Sequence, residues 1–465
     1  MPSTLLPRVL QTASLSLVAL FVVGCPSNRS SDDDDDDDST ASSCPAGEIE
    51  DCNGVCAPLD WRGDGECDEG QYEYEGNVID NNCAETDWDG GDCAGDDDDD
   101  DDDDDAEACS PSSSVLNCSS PGAVVGGAGW EAVAIDSNLQ QCGSNWTGGA
   151  PVTRSLPAGV VSAYVGVTQG SGESPALWWL NNGSTLVDDE GGVNEFANSD
   201  GGGVGGWDDP SGVVMPMTSA TDPTDGCIVA WPGSYDSTNP AQVLMTVRPA
   251  GPVDGLISIN IGIVDGIGVA PNDLEDAMYA ASDLLYDGTN EDADFYEAWT
   301  YFSVSDSALG NIQSEGAAVN ALRATRLGDD DRSVNLYVID DFDDGILGIA
   351  GGIPGPLGHQ GTSASGVVVA IAPHRDGGGA IDADYLAATI VHEVGHQIGL
   401  YHTSESGGLS WDPLSDTPEC TDSSTTPDVC PDGTNVMFWT GGPGDNQVVL
   451  SAEQAHVYSS TPILH

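Results

Sequence analysis

The sequence predicts a multidomain chain: a small disulfide-rich module, then an all-β sandwich, then a terminal α/β domain. Three observations carry that prediction. Two aspartate runs, Asp32–Asp38 and Asp96–Asp105, punctuate the first part of the chain, and blocks of like charge repel themselves and serve as spacers. Between them Cys44, Cys52, Cys56, Cys67, Cys83 and Cys93 stand in text too poor in apolar residues for an ordinary core, so cross-links or a metal must hold it. Beyond the second run, residues 109–252 read as short β-rich pieces separated by Gly, Pro, Asn and Asp, whereas residues 253–465 interleave strands with helices.

Composition narrows the partners. With 79 Asp+Glu against 9 Lys+Arg in 465 residues, the formal net charge is -70. No basic surface can neutralise phosphates, which excludes nucleic acid and anionic headgroups as expected partners. The surplus of acid favours bound cations, commonly calcium, or a saline extracellular medium, and thirteen cysteines fit an oxidising compartment.

Residues 1–24 carry Arg8 and an apolar stretch from Leu15 to Val23, too short to span a bilayer and suited to a signal peptide. Val22-Val23-Gly24-Cys25 resembles a bacterial lipobox, which implies cleavage before Cys25, acylation of Cys25, and an exported lipoprotein. No acid directly follows Cys25, so the outer membrane or cell surface is the expected place. A plain secretory signal is the alternative. Residues 25–43 then form an acidic tether that holds the rest away from a membrane.

The module at residues 44–93 contains Trp61-Arg62-Gly63-Asp64-Gly65-Glu66-Cys67-Asp68 and Asp87-Trp88-Asp89-Gly90-Gly91-Asp92-Cys93. Glycines between Asp89 and Asp92 tolerate positive φ and let two hard carboxylates face one ion; a solvated acidic turn is the plainer alternative. Spacing alone leaves the cysteine pairing open. The segment resembles the Notch-type LNR repeat, a calcium-bound disulfide knot, with an inserted stretch from Glu69 to Asn82. That resemblance implies the pairs Cys44–Cys83, Cys52–Cys67 and Cys56–Cys93. It also implies calcium ligation by Asp89 and Asp92, followed by Asp68 and Asp64. Residues 94–108 are a poly-Asp linker.

In residues 109–252, the stretches Val160–Val167, Ala176–Leu180, Gly226–Trp231 and Gln242–Val247 are expected strands, divided by turn clusters such as Gly201-Gly202-Gly203. Cys109, Cys118, Cys142 and Cys227 make two bridges whose pairing stays open. The segment carries no recognised motif and reads either as a binding module or as a propeptide-like region packed on the terminal domain. Next, Leu256–Val264 is an apolar strand. Asn272–Tyr286 has helical spacing, with Asn272 as N-cap and Glu275 three residues on. Ala298–Val304, Val334–Ile339 and Gly366–Ile371 are further strands, and a second long helix starts after Asp382. His359, His374, His456 and His465 lack partner spacing and read as surface residues.

The densest chemistry is His392-Glu393-Val394-Gly395-His396-Gln397-Ile398-Gly399-Leu400-Tyr401-His402. On a helix His392 and His396 stand one above the other, so both imidazoles can hold one ion. Gly399 lets the helix end in a left-handed turn that returns His402 as third ligand. Three neutral nitrogens leave a fourth tetrahedral position for water, as in catalytic zinc sites. Zinc acidifies such a water, and Glu393 is placed to take its proton. A polar helix face with core histidines, or a site that holds zinc without turnover, are the alternatives.

This stretch, with Asn435-Val436-Met437-Phe438 downstream, resembles the metzincin peptidases, in which the methionine of the Met-turn, here Met437, forms a floor under the histidines. Within that group His392 to Thr403, the run Asp416-Thr417-Pro418-Glu419-Cys420, and Cys430 resemble the pappalysins, which also carry Notch-type repeats. The likeness places Cys420 and Cys430 among the disulfide cysteines and implies a calcium loop over Ser404–Cys420, with Asp412 and Asp416 as ligands. Gly366–Ile371 resembles the edge strand that pairs with an extended substrate, a buried strand being the alternative. Trp439 departs from the family, which has a tyrosine there whose hydroxyl helps stabilise the tetrahedral intermediate.

The expected function is therefore a zinc-dependent endopeptidase of metzincin type. It acts on extracellular proteins or peptides, is anchored through Cys25, and depends on zinc and calcium. A surface binding protein or adhesin with a vestigial zinc site is the rival, against which an intact Glu393 speaks. A peptidase held latent by residues 109–250 is a third reading.

Overall fold

The computed structural model describes residues 44–45, 48–53, 55–61, 69–74, 77–80, 124–125, 129–142, 147–156, 159–169, 175–181, 185–188, 191–192, 204–205, 211–216, 226–235, 237–408, 410–421, 426–441 and 447–465. The leader, Cys25, the tether and both aspartate runs lie outside the described residues. So do Asp64, Asp68, Asp89 and Asp92, and Cys67, Cys83, Cys93, Cys109 and Cys118. The chain divides into two compact units, Met1–Asp100 and Asp101–His465.

In the first unit Glu48–Glu50 pairs antiparallel with Cys56–Pro58. The turn between them is locked by the Asp51 carboxylate, which accepts from Asn53 N at 2.9 Å and Val55 N at 2.7 Å. Such Asx turns favour aspartate because the side chain imitates a backbone acceptor. The hairpin corrects the expected pairing. Cys44 is bonded to Cys56, Cα to Cα 5.5 Å, which rules out both Cys44–Cys83 and Cys56–Cys93, since each sulfur makes one such bond. Folding the chain back on itself brings these two cysteines within disulfide reach, which no count of spacings reveals. Cys52 is also disulfide-bonded. Much of the inserted stretch forms a second antiparallel pair, Glu69–Tyr74 with Asn77–Asp80.

The second unit starts with two sheets. The four-stranded one contains β1 (Glu131–Ser137), β2 (Val160–Thr168), β3 (Ser211–Met215) and β4 (Ala241–Pro249), antiparallel in the order β3-β2-β4-β1. β2 and β4 are buried along almost their whole length. Runs such as Val160–Val167 lack polar alternation because both faces of this sheet are covered. The second sheet is nine-stranded and centred on Pro175–Asn181 and Cys227–Ser234. Cys142 and Cys227 are both disulfide-bonded.

An α/β segment comes next: β5 (Ile259–Val264), α1 (Pro271–Gly288), β6 (Trp299–Val304), α2 (Ala317–Arg323), β7 (Val334–Ile339), β8 (Gly348–Ala350), β9 (Val367–Ala370), α3 (Ala383–Ile398) and α4 (Ala452–Ser460). The sheet order is β6-β5-β7-β9-β8, with β8 alone antiparallel to its neighbour. Strand alternation sorts the core. Leu336, Val338, Val367 and Val369 point to the side where Leu274 and Met278 of α1 meet Leu386, Ile390 and Val394 of α3. Tyr337, Ile339, Val368 and Ala370 point the other way, to Val319 and Leu322 of α2.

Three expectations change here. α1 begins at Pro271 and not after Asn272, and Asp273 rather than Glu275 reaches back, its Oδ2 accepting from Ala270 N at 2.8 Å. Proline at the first helical position has no N–H to satisfy and a preset φ, which moves the start upstream. Gly366–Ile371 is not an edge, as the alternative reading had it: β9 is paired on both sides, and among the described residues β8 is the outer strand at this end of the sheet. Its three residues are too short to show a period in sequence. His374 is fully buried and His359, His456 and His465 are half-buried, since isolated residues carry no periodic signal of burial.

Candidate metal centre and cleft

α3 is held at both ends by its own sequence. At the start the Asp382 side chain accepts from Tyr385 N at 3.2 Å, satisfying one of the open N–H groups of a first turn. At the end Gly399 has φ 114°. Gly399 N donates to His396 O at 3.0 Å and Leu400 N to Gly395 O at 2.9 Å, the paired bonds of a Schellman stop. The chain therefore reverses within a few residues, and His402 arrives opposite His392 and His396.

The three Nε2 atoms lie 3.2, 3.0 and 3.1 Å apart. Each Nδ1 turns away to an acceptor: His392 to Val436 O at 2.7 Å, His396 to Leu400 O at 2.7 Å, and His402 to Glu405 Oε1 at 2.9 Å. Carbonyls accept only, so Nδ1 carries the proton and Nε2 presents its lone pair. Three lone pairs facing one another repel unless a cation sits among them. Ligands ~2.0–2.1 Å from a tetrahedral ion stand about 3.3 Å apart, close to what is seen, and three imidazoles suit zinc and its neighbours. Burial pushes the His392 imidazole down to about 3, with His402 adding to the shift, and His396 well below its ordinary value, with His392 and His402 both adding. Both are held in the neutral form that ligation requires.

Met437 is fully buried beneath this group. A Cβ at Gly395 would lie 2.5 Å from Met437 Sδ and 3.0 Å from the Tyr458 hydroxyl, so glycine in the last turn of α3 makes room for the methionine below. The turn is tied by Thr403 N to Met437 O at 3.0 Å and by the Asn435 side chain, which accepts from Met437 N at 2.8 Å. Tyr458 of α4 donates to Val391 O at 2.6 Å.

Glu393 is buried, and burial raises its carboxyl to about 8 against the opposing hydrogen bond from Ala350. A cation beside it would favour its charged form. Above it runs β8. Ala370 N donates to Leu347 O and Gly351 N to Gly366 O, so the backbone groups of Gly348 and Ala350 fall on the outer side of the sheet. A Cβ at Gly348 would meet Glu393 Cγ at 2.7 Å; only glycine lets the strand pass this close. Arg323 Nη1 donates to Ala350 O at 2.9 Å, and its Nη2 to Asn320 Oδ1 at 2.8 Å. A cleft of about 1000 Å³ runs along β8 and is floored by the histidines and Glu393. Its far wall includes Tyr385, Thr389, Val436 and residues 438–441, Trp439 among them.

The structure brings His392, Glu393, His396, His402 and Trp439 to one cleft, sets Met437 beneath it, and bonds Cys420 to Cys430. Asp412 is buried, accepts from Thr417 Oγ1, and has its carboxyl raised to about 7 by burial. Asp416 accepts from Glu453 N at 2.9 Å. Sequence reasoning missed Glu405, whose signal is an acid three residues after the third histidine. It also missed β8 and Arg323, which nothing local announces. Asp432, buried and accepting from Thr403 Oγ1 at 2.7 Å and Ser404 Oγ at 2.6 Å, was missed for the same reason.

No protein-family profile matches this sequence, and no curated protein matches it. Among solved structures it is similar to mirolysin in complex with compound 9, at 18% identity and TM-score 0.32 over 44% of this chain and 91% of that one. It is also similar to metalloproteinase-II from Bacteroides fragilis, at 14% identity and TM-score 0.27 over 44% of this chain and 52% of that one. A third likeness is to archaemetzincin from Methanopyrus kandleri, at 15% identity and TM-score 0.25 over 46% of this chain and 91% of that one. Likenesses this distant assign neither a family nor an activity.

Proposed function

We propose that this protein is a zinc-dependent endopeptidase of metzincin type. The observation that carries the reading is the convergence of three Nε2 lone pairs beside the buried Glu393 carboxylate, on the floor of an open cleft. Zinc, when bound by His392, His396 and His402, supplies Lewis acidity toward a water and a substrate carbonyl. Glu393 accepts the proton from the attacking water and returns it to the leaving amine, a base whose burial lets it hold a proton near neutral pH. The outward backbone groups of Gly348 suit an extended peptide, while those of Ala350 are engaged by Arg323 and Glu393; this favours a peptide substrate over other hydrolysable ones.

The wider proposal keeps export as a lipoprotein through Cys25, a calcium-binding disulfide-rich module at residues 44–93 whose Cys44–Cys56 bridge departs from the LNR pairing, and a β-sandwich at residues 109–252. The sequence patterns support these. No helix among the described residues is long and apolar enough to cross a membrane.

The test is metal content together with turnover. Purified protein is expected to hold about one zinc per chain; His396→Ala should lose it, and Glu393→Ala should keep it while losing roughly 10²–10⁴-fold in cleavage of unfolded proteins. Equal and negligible cleavage by wild type and Glu393→Ala with zinc bound would leave the binding-protein reading in its place.

A further inference from the structure

We propose that the four-stranded sheet is a permanent part of the metal centre. In it Val214 and Thr246 act as positioning residues, Val214 through the turn that delivers His402 and Thr246 through the loop that walls the cleft. The inference rests on the peptidase reading and reverses the idea that this segment is a removable inhibitor.

Two sets of contacts support it. The Gly399 turn is packed directly against β3: a Cβ at Gly399 would lie 2.5 Å from Val214 Cγ1 and 3.7 Å from Pro354 Cβ. Val214 is 1% exposed. The backbone that must reverse to bring His402 to the other histidines thus rests on a side chain of the preceding segment. The second set concerns residues 351–366, which leave β8 and contribute Gly351, Gly352 and Ile353 to the cleft. This loop is held from the α3 side by Gly355 N donating to Gln397 O at 2.9 Å. From the sheet side it is held by Thr246 Oγ1 donating to Leu357 O at 2.6 Å, with Gly358 passing over the same threonine.

The rest of the interface is that of a lasting union. Trp130 Nε1 donates to Pro462 O at 2.8 Å, and Arg248 Nη2 to Ser459 O at 3.2 Å. Val214, Met245 and Val247 share one core with Ile398, Leu400, Val457 and Ile463. Separation would expose that apolar surface to water, a cost that grows with the area uncovered. An inhibitory segment must also cover what it inhibits. Among the described residues, none from 124 to 249 lines the cleft.

The test uses the full chain with a cleavage sequence for a specific protease inserted between Gly251 and Val253, where the chain is exposed. After cutting, the pieces are expected to co-elute, keep their zinc, and hydrolyse peptide within about twofold of the uncut protein, the interface being intact. Dissociation with zinc retained on the second piece, or a rise in activity on cutting, overturns the proposal. A second arm reads positioning without turnover, from the absorption spectrum and metal-release rate of the cobalt(II)-substituted protein. Val214→Ala should alter the spectrum and speed release about tenfold, as for other residues that orient ligands. Thr246→Val should raise KM several-fold more than it lowers kcat, with Thr246→Ser restoring it. Variants that lower thermal stability yet leave spectrum, release rate and KM as in wild type would show mere support, and so overturn the proposal. The cobalt readouts decide Val214 even if no substrate is cleaved, which separates this inference from the peptidase reading.

Discussion

Replacing Glu405 tests whether the metal centre is tuned from outside its ligands. Two of the three histidines are oriented by backbone carbonyls, but His402 is oriented by the Glu405 carboxylate at 2.9 Å. Burial pushes the Glu405 carboxyl up, yet the hydrogen bond from His402 Nδ1 holds it below the ordinary carboxylate range, so it is ionised at neutral pH. Outer partners of this kind are worth roughly 10–100-fold in metal affinity. Glu405 is 48% exposed and His402 23%, so solvent screens the pair and the lower end applies. Glu405→Ala should weaken zinc binding about tenfold, or ~1.4 kcal/mol. Glu405→Gln keeps an acceptor oxygen in place and should cost only about threefold, by the same scale. The assay is competition with a chromophoric chelator at constant pH, with His402→Ala as the reference for complete loss of a ligand. Wild-type affinity in Glu405→Ala would refute the orienting role. A Glu405→Gln as weak as His402→Ala would refute it in the other direction, because it would make the carboxylate itself a ligand.

The same geometry bears on stability at two positions. Gly399→Ala places a side chain at φ 114° and 2.5 Å from Val214 Cγ1. It should cost about 2–5 kcal/mol from backbone strain and overpacking, read by urea unfolding, and a loss under ~1 kcal/mol would contradict the packing. His374 is buried, with Nδ1 on Ala370 O at 2.6 Å and Nε2 on Thr389 Oγ1 at 2.8 Å, and burial pushes it down to about 4. Because the folded value lies below the unfolded one, the unfolded chain binds the extra proton, and stability should fall as pH drops from about 6.5 toward 4. The full change is roughly 3 kcal/mol. His374→Gln should flatten that part of the stability–pH curve; an unchanged slope would show that His374 is not its source.

The helical pair His392 and His396, the glutamate beside them, and the glycine that returns His402 were legible in the sequence, because all are set by spacing within one helix and its stop. So were the strands Val334–Ile339 and Val160–Val167 and the helix after Asp382, which rest on local patterns of apolar residues. Only tertiary structure decided which strand is open. By resemblance β9 stood as an edge, with a buried strand as the alternative its sequence left open; pairing is made by partners distant in the chain, and among the described residues the outer strand beside the histidines is the three-residue β8. The same holds for Cys44 meeting Cys56 across a hairpin and for Arg323 reaching Ala350 O. It holds again for Val214 lying under Gly399, far along a chain whose first sheet and last helices share one core. Local periodicity specifies which face of an element is apolar; what covers that face is a contact between segments, and it exists only once the chain has closed around it.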